Sequence, residues 1–224
     1  MEHAAGNRQS TIDNQKTMYK IYGDLNSGNC YKVKLLAEQL GMQYEWFNVD
    51  ILKKETKTPA FLQKNPNGKI PLLELEDGRF LSESNAILYY LAEGTRFLPE
   101  ERLERAQVFQ WLFFEQYSHE PYIATARYII RYLGRPPEME AMLRSKLAPG
   151  YKALRVMEIH LRGHDYFVGE RYTIADIGLF AYTHVAEEGG FELAEFPAVC
   201  RWIERIKSQP GFVRIGEMSA GMQN

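Results

Sequence analysis

The stretch that decides the fold is residues 19–49, YKIYGDLNSGNCYKVKLLAEQLGMQYEWFNV. Residues 19–22 read as a short strand that ends at Gly23, and residues 24–29 form a loop rich in Gly, Asn and Ser. Val33, Leu36, Ala37 and Leu40 then fall at i, i+3, i+4 and i+7, one face of a helix that stops at Gly41. Residues 44–49 give a second strand. Strand, helix and strand at this spacing predict a parallel pair joined by a right-handed crossover.

Downstream the pattern changes. Residues 72–75 and 79–81 flank Asp77-Gly78, whose residue types tolerate positive φ and signal a hairpin. Residues 84–91 read as a helix with Ile87, Tyr90 and Leu91 turned inward. The order is β-α-β, an irregular segment, then β-β-α, which is the thioredoxin-like layout. After a break at residues 94–99 the signals are helical only. Val108, Trp111 and Leu112 share a face that Phe109 and Phe113 widen. Further stripes are Leu147, Tyr151, Leu154 and Leu161; Ile174, Ile177, Gly178, Ala181, Tyr182 and Val185; and Val199, Trp202, Ile203 and Ile206, ended by Pro210-Gly211. The reading is α/β plus all-α: a polar extension at 1–17, a thioredoxin-like domain at 18–96 and an all-helical domain at 97–224, joined near residues 92–100.

Composition narrows the function classes. The 224 residues carry 27 basic and 29 acidic side chains, a net charge of −2, with no basic tract that would steer the protein to nucleic acid. Two cysteines, Cys30 and Cys200, do not make a disulfide framework and fit a reducing, cytoplasmic setting. Residues 1–17 lack the apolar core of a secretory signal, and no apolar run has membrane-spanning length.

Three sites carry chemistry. In Asn65-Pro66-Asn67-Gly68-Lys69-Ile70-Pro71, a proline stands directly before a strand. A cis Ile70–Pro71 bond would present the Ile70 backbone to an extended peptide ligand, whereas a trans bond would make an ordinary turn. In Glu83-Ser84-Asn85-Ala86-Ile87-Leu88, Ser84 opens a helix. Its free N–H groups and hydroxyl suit a carboxylate and Glu83 suits an ammonium, together an α-amino acid head group; the plainer alternative is a helix cap beside a solvated acid. Ser27-Gly28-Asn29-Cys30 precedes the first helix, where a thiolate would be favoured. Cys30 is either a thiol of the protein's own or a small buried apolar side chain, and no Cys-x-x-Cys pair supports dithiol chemistry. His160 and His164, at i and i+4, lack a third ligand at motif spacing, so no metal site is expected. Thr173-Ile174-Ala175-Asp176 is a capping box with a structural role.

The run from Asn65 to Pro71, the Glu83-Ser84-x-Ala86-Ile87 pattern and Thr173–Asp176 together resemble the glutathione transferase superfamily, over nearly all of residues 18–213. The resemblance implies a thioredoxin-like domain, a helical second domain, a homodimer and bound glutathione as co-substrate, with no metal. It implies that Ile70 and Pro71 meet the cysteinyl backbone of glutathione, Glu83 and Ser84 its γ-glutamyl end, and Lys69 its glycyl carboxylate. Ser27 resembles the thiolate-binding serine of the theta- and delta-like classes. Asn29, two residues on, is similar to the Thr-x-Asn arrangement of the bacterial nu-like class, which favours disulfide reduction. Tyr22 is the alternative thiolate partner of tyrosine-type classes, and Cys30 that of the beta class. Tyr117, Tyr122 and Arg127 lie on the helix that lines the second-substrate pocket in the family, or else pack at a domain interface. The implied activity is attack of the glutathione thiolate on a small hydrophobic or electrophilic substrate. Reduction of disulfides or organic hydroperoxides is one alternative, and a non-enzymatic assembly module is the other.

Overall fold

The structure is a computed structural model and describes residues 18–218 together with 222 and 223. The extension at 1–17 lies outside the described residues. Strand β1 (Tyr19–Gly23) runs parallel to β2 (Tyr44–Asn48), with Ile21 opposite Trp46. Helix α1 (Gly28–Gln39) makes the crossover between them. The irregular segment contains a short helix, α2 (Pro59–Lys64), capped by the Thr58 hydroxyl and opened by Pro59. Strands β3 (Leu72–Glu74) and β4 (Phe80–Ser82) follow as an antiparallel pair. Of the two turn residues only Gly78 takes a positive φ, 79°. β3 lies antiparallel on the other side of β1, and α3 (Ser84–Ala92) closes this half. The sheet order is β4-β3-β1-β2-β5, where β5 is the pair Met222–Gln223 laid parallel on β2. The mixed sheet with its flanking helices is the thioredoxin-like fold that the sequence predicts.

From residue 102 onward, up to that terminal pair, the described chain is helical. Helix α4 (Arg102–Phe114) passes through a π-helical turn at Glu115–His119 into α5 (Glu120–Arg127), with Pro121 in the first turn of α5. Pro121 has no N–H to continue an i→i−4 ladder, and the amide of Glu120 reaches back five residues to the Glu115 carbonyl. Helices α6 (Glu140–Leu161), α7 (Ile174–Thr183) and α8 (Pro197–Lys207) complete the bundle. The capping box at Thr173 is present, and Asp176 also accepts from the buried Trp202 indole at 2.9 Å.

One hydrophobic core runs through both halves, from Ile21 and Leu36 across Leu88 and Trp111 to Ile177 and Trp202. Tyr90 departs from the sequence reading: it is exposed, with its ring edge-on to Tyr19. Helix α1 departs in the other direction. Periodicity gives it one apolar face, yet Cys30 through Ala37 are all buried. It is covered by the sheet, by α3 and α7, and by residues 212–218, which double back along it. The Tyr31 hydroxyl donates to the Val213 carbonyl at 2.7 Å, and the buried Lys34 ammonium donates to the carbonyls of Arg214 (3.1 Å) and Glu217. The Gly216 amide donates to the Leu25 carbonyl at 2.9 Å. Gly28 lets α1 approach α7 closely, since a Cβ there would lie 2.5 Å from the Tyr182 ring.

Candidate functional site

The start of α1, the segment before β3, the start of α3 and the turn between α4 and α5 converge on a hollow of about 60 Å³. Its walls are Asn29, Asn65, Lys69, Ile70, Pro71, Glu83, Ser84, Gln116 and Glu120. Six residues singled out in the sequence therefore meet in one place. The Ile70–Pro71 peptide is cis. Asn65 is buried and fixes the approach to it, donating from Nδ2 to the Lys69 carbonyl at 2.7 Å. Lys57 donates to the Gly68 carbonyl at 2.8 Å, and Gly68 takes φ +59° where a Cβ would lie 2.9 Å from the Thr56 carbonyl oxygen.

At the start of α3 the exposed Glu83 is the capping residue, with φ 67° and ψ 113°, and its side chain makes no cap hydrogen bond. That backbone conformation is costly for a residue with a Cβ. Ser84 is the first helical residue and is buried. Its hydroxyl donates to Asn29 Oδ1 at 3.0 Å, and Asn29 Nδ2 donates to Glu120 Oε1 at 2.7 Å. Behind Ser84 lies a charged cluster that has no cue in the sequence. Lys32 Nζ is wholly buried, 2.9 Å from Glu115 Oε1 and 3.5 Å from Glu120 Oε2, and donates to Ser84 Oγ (3.3 Å) and Asn85 Oδ1 (3.4 Å). Asn85 Nδ2 donates to the other Glu115 oxygen at 3.0 Å. Burial pushes the Glu115 carboxyl well above the ordinary carboxylate range, against the pull of Lys32. The π-helical turn brings Glu115 and Glu120, five residues apart, to one ammonium.

The candidate thiolate partners separate clearly in space. Ser27 caps α1, its Oγ accepting from the Cys30 amide at 3.4 Å. It sits on the loop between two hollows: the one just described, which Asn29 lines, and a second of about 430 Å³. The second is lined by Asp24, Leu25, Asn26, Asn48, Asp50, Leu52, Arg131, Tyr132 and Gly216. Cys30 is wholly buried against Gly23 and Trp46, and burial pushes its thiol up to about 12. Tyr22 turns to the opposite side of β1, where its hydroxyl donates to Glu74 at 2.6 Å and accepts from Lys64 at 2.7 Å.

Tyr117, Tyr122 and Arg127 do not gather. Tyr117 is 83% exposed. The Tyr122 ring faces the Lys146 ammonium at 5.8 Å. Arg127 is buried and donates to Glu188 Oε2 and to the Asn26 carbonyl, both at 2.8 Å, so it ties the 24–29 loop to the helical half. It is the neighbouring Arg131 and Tyr132 that reach the second hollow. His160 and His164 stack on each other at 4.5 Å, and among the described residues no group of three His, Cys, Asp or Glu side chains is gathered for a metal. Among the described residues no helix is long and apolar enough to cross a membrane.

Residues 17–93 match the family described as glutathione S-transferase, N-terminal domain, and residues 113–210 match the corresponding C-terminal domain. The chain is 32% identical over 189 residues to the disulfide-bond oxidoreductase YfcG of Escherichia coli (strain K12), covering 81% of this chain and 87% of that protein. It superposes on a glutathione S-transferase crystal structure from Pseudomonas fluorescens [Pf-5] with TM-score 0.87 and 58% identity, over 89% of this chain and 99% of that one. It also superposes on the glutathione transferase URE2P6 of Phanerochaete chrysosporium in complex with oxidized glutathione, with TM-score 0.78 and 28% identity, over 87% and 93% of the two chains.

Proposed function

This chain belongs to the glutathione transferase superfamily, and from that premise we propose that it binds glutathione in the hollow at the start of α3 and uses the thiolate as a nucleophile. The observation that carries the reading is the meeting of Lys69, Ile70, Pro71, Glu83 and Ser84 around one hollow. The γ-glutamyl carboxylate lies at the α3 N-terminus and the Ser84 hydroxyl, its ammonium beside Glu83, and the cysteinyl backbone along Ile70, with Lys69 toward the glycyl carboxylate. Ser27 and the N-terminus of α1 stabilise the sulfur as thiolate, assisted by Asn29. The buried, weakly acidic Cys30 is a packing residue in this reading.

The acceptor occupies the second hollow, on the other side of the Ser27 loop. In the transferase reaction the sulfur forms a carbon–sulfur bond as the electrophile's leaving group departs with its electron pair. A second reading is favoured by that hollow's lining, in which Asp24, Asn26, Asn48, Asp50 and Arg131 outnumber the apolar residues. A polar disulfide suits such walls: the thiolate attacks one sulfur and the other leaves as a thiolate. Reduction of an organic hydroperoxide belongs with this second reading. Both readings place the protein in the reducing cytoplasm, in keeping with its two free cysteines. The protein is a homodimer in this reading. The support is an apolar hollow of about 480 Å³ between α3 and α4, lined by Ala86, Tyr89, Phe109, Leu112 and Phe113, with Phe113 69% exposed beside it.

Calorimetry with glutathione, followed by turnover of a haloarene, an enone, a hydroperoxide and a small disulfide, tests the proposal. Micromolar to millimolar affinity is expected, roughly what a pocket with this few anchors supports. No heat at several millimolar glutathione overturns it. Turnover confined to the disulfide selects the second reading.

A further inference from the structure

We propose that Lys32 is a positioning residue for the ligand head group: seated behind Ser84, its buried ammonium is the counter-charge for the γ-glutamyl α-carboxylate of glutathione. The inference rests on the glutathione reading of the hollow and names the residue that gives that subsite its charge preference.

The geometry carries it. Burying an ammonium is expensive, and a side chain with 0% exposure on a helix packed all round calls for a reason. The ammonium has three N–H groups to place, and it meets two carboxylates, Glu115 and Glu120. Lys32 also donates to Ser84 Oγ, the one group of the cluster that heads α3 and lines the hollow. The hydrogen bonds then run in one direction, from Lys32 to the Ser84 hydroxyl, to the Asn29 amide oxygen, and from the Asn29 NH₂ to Glu120. A carboxylate arriving at Ser84 takes the hydroxyl proton that now goes to Asn29. It then finds a full positive charge one hydroxyl behind it, in a place where water does not screen the attraction.

The other groups facing the ammonium do not compete for that role. From α7, the Tyr182 ring lies 6.0 Å from Nζ with its hydroxyl held neutral by burial. From the π-helical turn, His119 is kept neutral by burial. From α3, Asn85 is a neutral amide and Glu83 sits outside on the exposed cap. Glu115 and Glu120 hold Lys32 in place, and the upward push on the Glu115 carboxyl lets one of the two acids shed its charge when a third carboxylate arrives.

The test pairs a deletion on the protein with a deletion on the ligand. Glutathione and γ-aminobutyryl-cysteinyl-glycine, which lacks only the α-carboxylate, are titrated calorimetrically into wild type, Lys32→Met and the Lys32→Met/Glu115→Gln double variant. The double variant also neutralises the buried acid that the single one leaves without its counter-charge, and so keeps the comparison in a folded protein. Wild type is expected to prefer glutathione by roughly 30- to 100-fold, the scale of a charge-assisted contact. Both variants are expected to lose at least ten-fold of that preference while binding the truncated ligand as wild type does. Equal weakening for the two ligands makes Lys32 a strut for the fold and overturns this inference alone. A wild-type protein that binds neither ligand overturns the glutathione reading and this inference with it.

Discussion

Glu83 carries a left-handed φ of 67° that a glycine would hold without strain. Holding this conformation costs about 1 kcal/mol or more, at a residue that lines the hollow. Glu83→Gly is therefore expected to raise unfolding stability by about 1 kcal/mol in denaturant melts and to weaken glutathione binding. A variant that gains neither stability nor a binding defect would contradict this. His119 gives a second prediction. Thr183 passes its hydroxyl proton to the Leu179 carbonyl, so the 2.8 Å contact from His119 Nε2 to Thr183 Oγ1 is a donation from a neutral ring. Burial holds that ring down at about 3, against 6.5 when exposed. Its stabilisation is complete above 6.5 and is lost as pH falls toward 3. His119→Gln keeps a donor and removes the titration. Between pH 7.5 and pH 5 the wild type should lose about 2 kcal/mol more than the variant, 1.5 pH units below the unfolded value. Glu115 and Asp176, both pushed up by burial, move in the opposite direction in both proteins and cancel in the comparison.

At the scale of elements, what was legible followed from local chemistry. Gly23, the loop after it and Gly41 mark off the strand and helix of the first βαβ unit, and the hollow-lining residues Ile70, Pro71, Glu83 and Ser84 are close in sequence to the elements that present them. Helix α2 was not legible: its six residues are too short for a periodic signal, although Thr58-Pro59 is a good start signal. The cluster around Lys32 was not legible either. A lysine on a helix and two glutamates about 85 residues away read as solvated charges until the π-helical turn and α1 are placed together. Arg127 likewise acts as a tether between halves and not as a pocket wall. The cap of α1 makes a prediction of its own. Ser27→Ala removes a helix N-cap and, in the proposed mechanism, the donor to the sulfur. It should cost about 1 kcal/mol of stability and roughly ten- to a thousand-fold in rate, with the thiol pKa raised. Cys30→Ala, which only loosens packing against Gly23, should keep most of the activity. Rate against pH for the two variants decides between them, and an unchanged profile for Ser27→Ala would remove Ser27 from the mechanism.

At the scale of the whole molecule, the shared core and the apolar hollow between α3 and α4 make separate demands. Because one core joins Ile21 to Trp202, residues 18–96 made alone should not give a cooperative unfolding transition. A sharp melt of that fragment would show that the helical half is dispensable. The apolar hollow between α3 and α4 makes the second copy its expected occupant. Phe113→Glu should then shift sedimentation from dimer to monomer at micromolar concentration, while a wild type that already sediments as a monomer of 26.0 kDa removes the dimer from the reading.

The doubling-back of residues 212–218 along α1 sets an order on biosynthesis. Lys34 emerges from the ribosome with the first helix, but the carbonyls that hold its ammonium belong to residues 214 and 217. Throughout elongation of the intervening chain water stands in for those two carbonyls, so α1 cannot be sealed on this side as it is made. A helix translated before the strands β2 to β4 and the helical half is thus among the last to be finished, and a nascent chain stalled before residue 214 would present a wet, partly open α1 to chaperones even with every strand from β1 to β4 already synthesised.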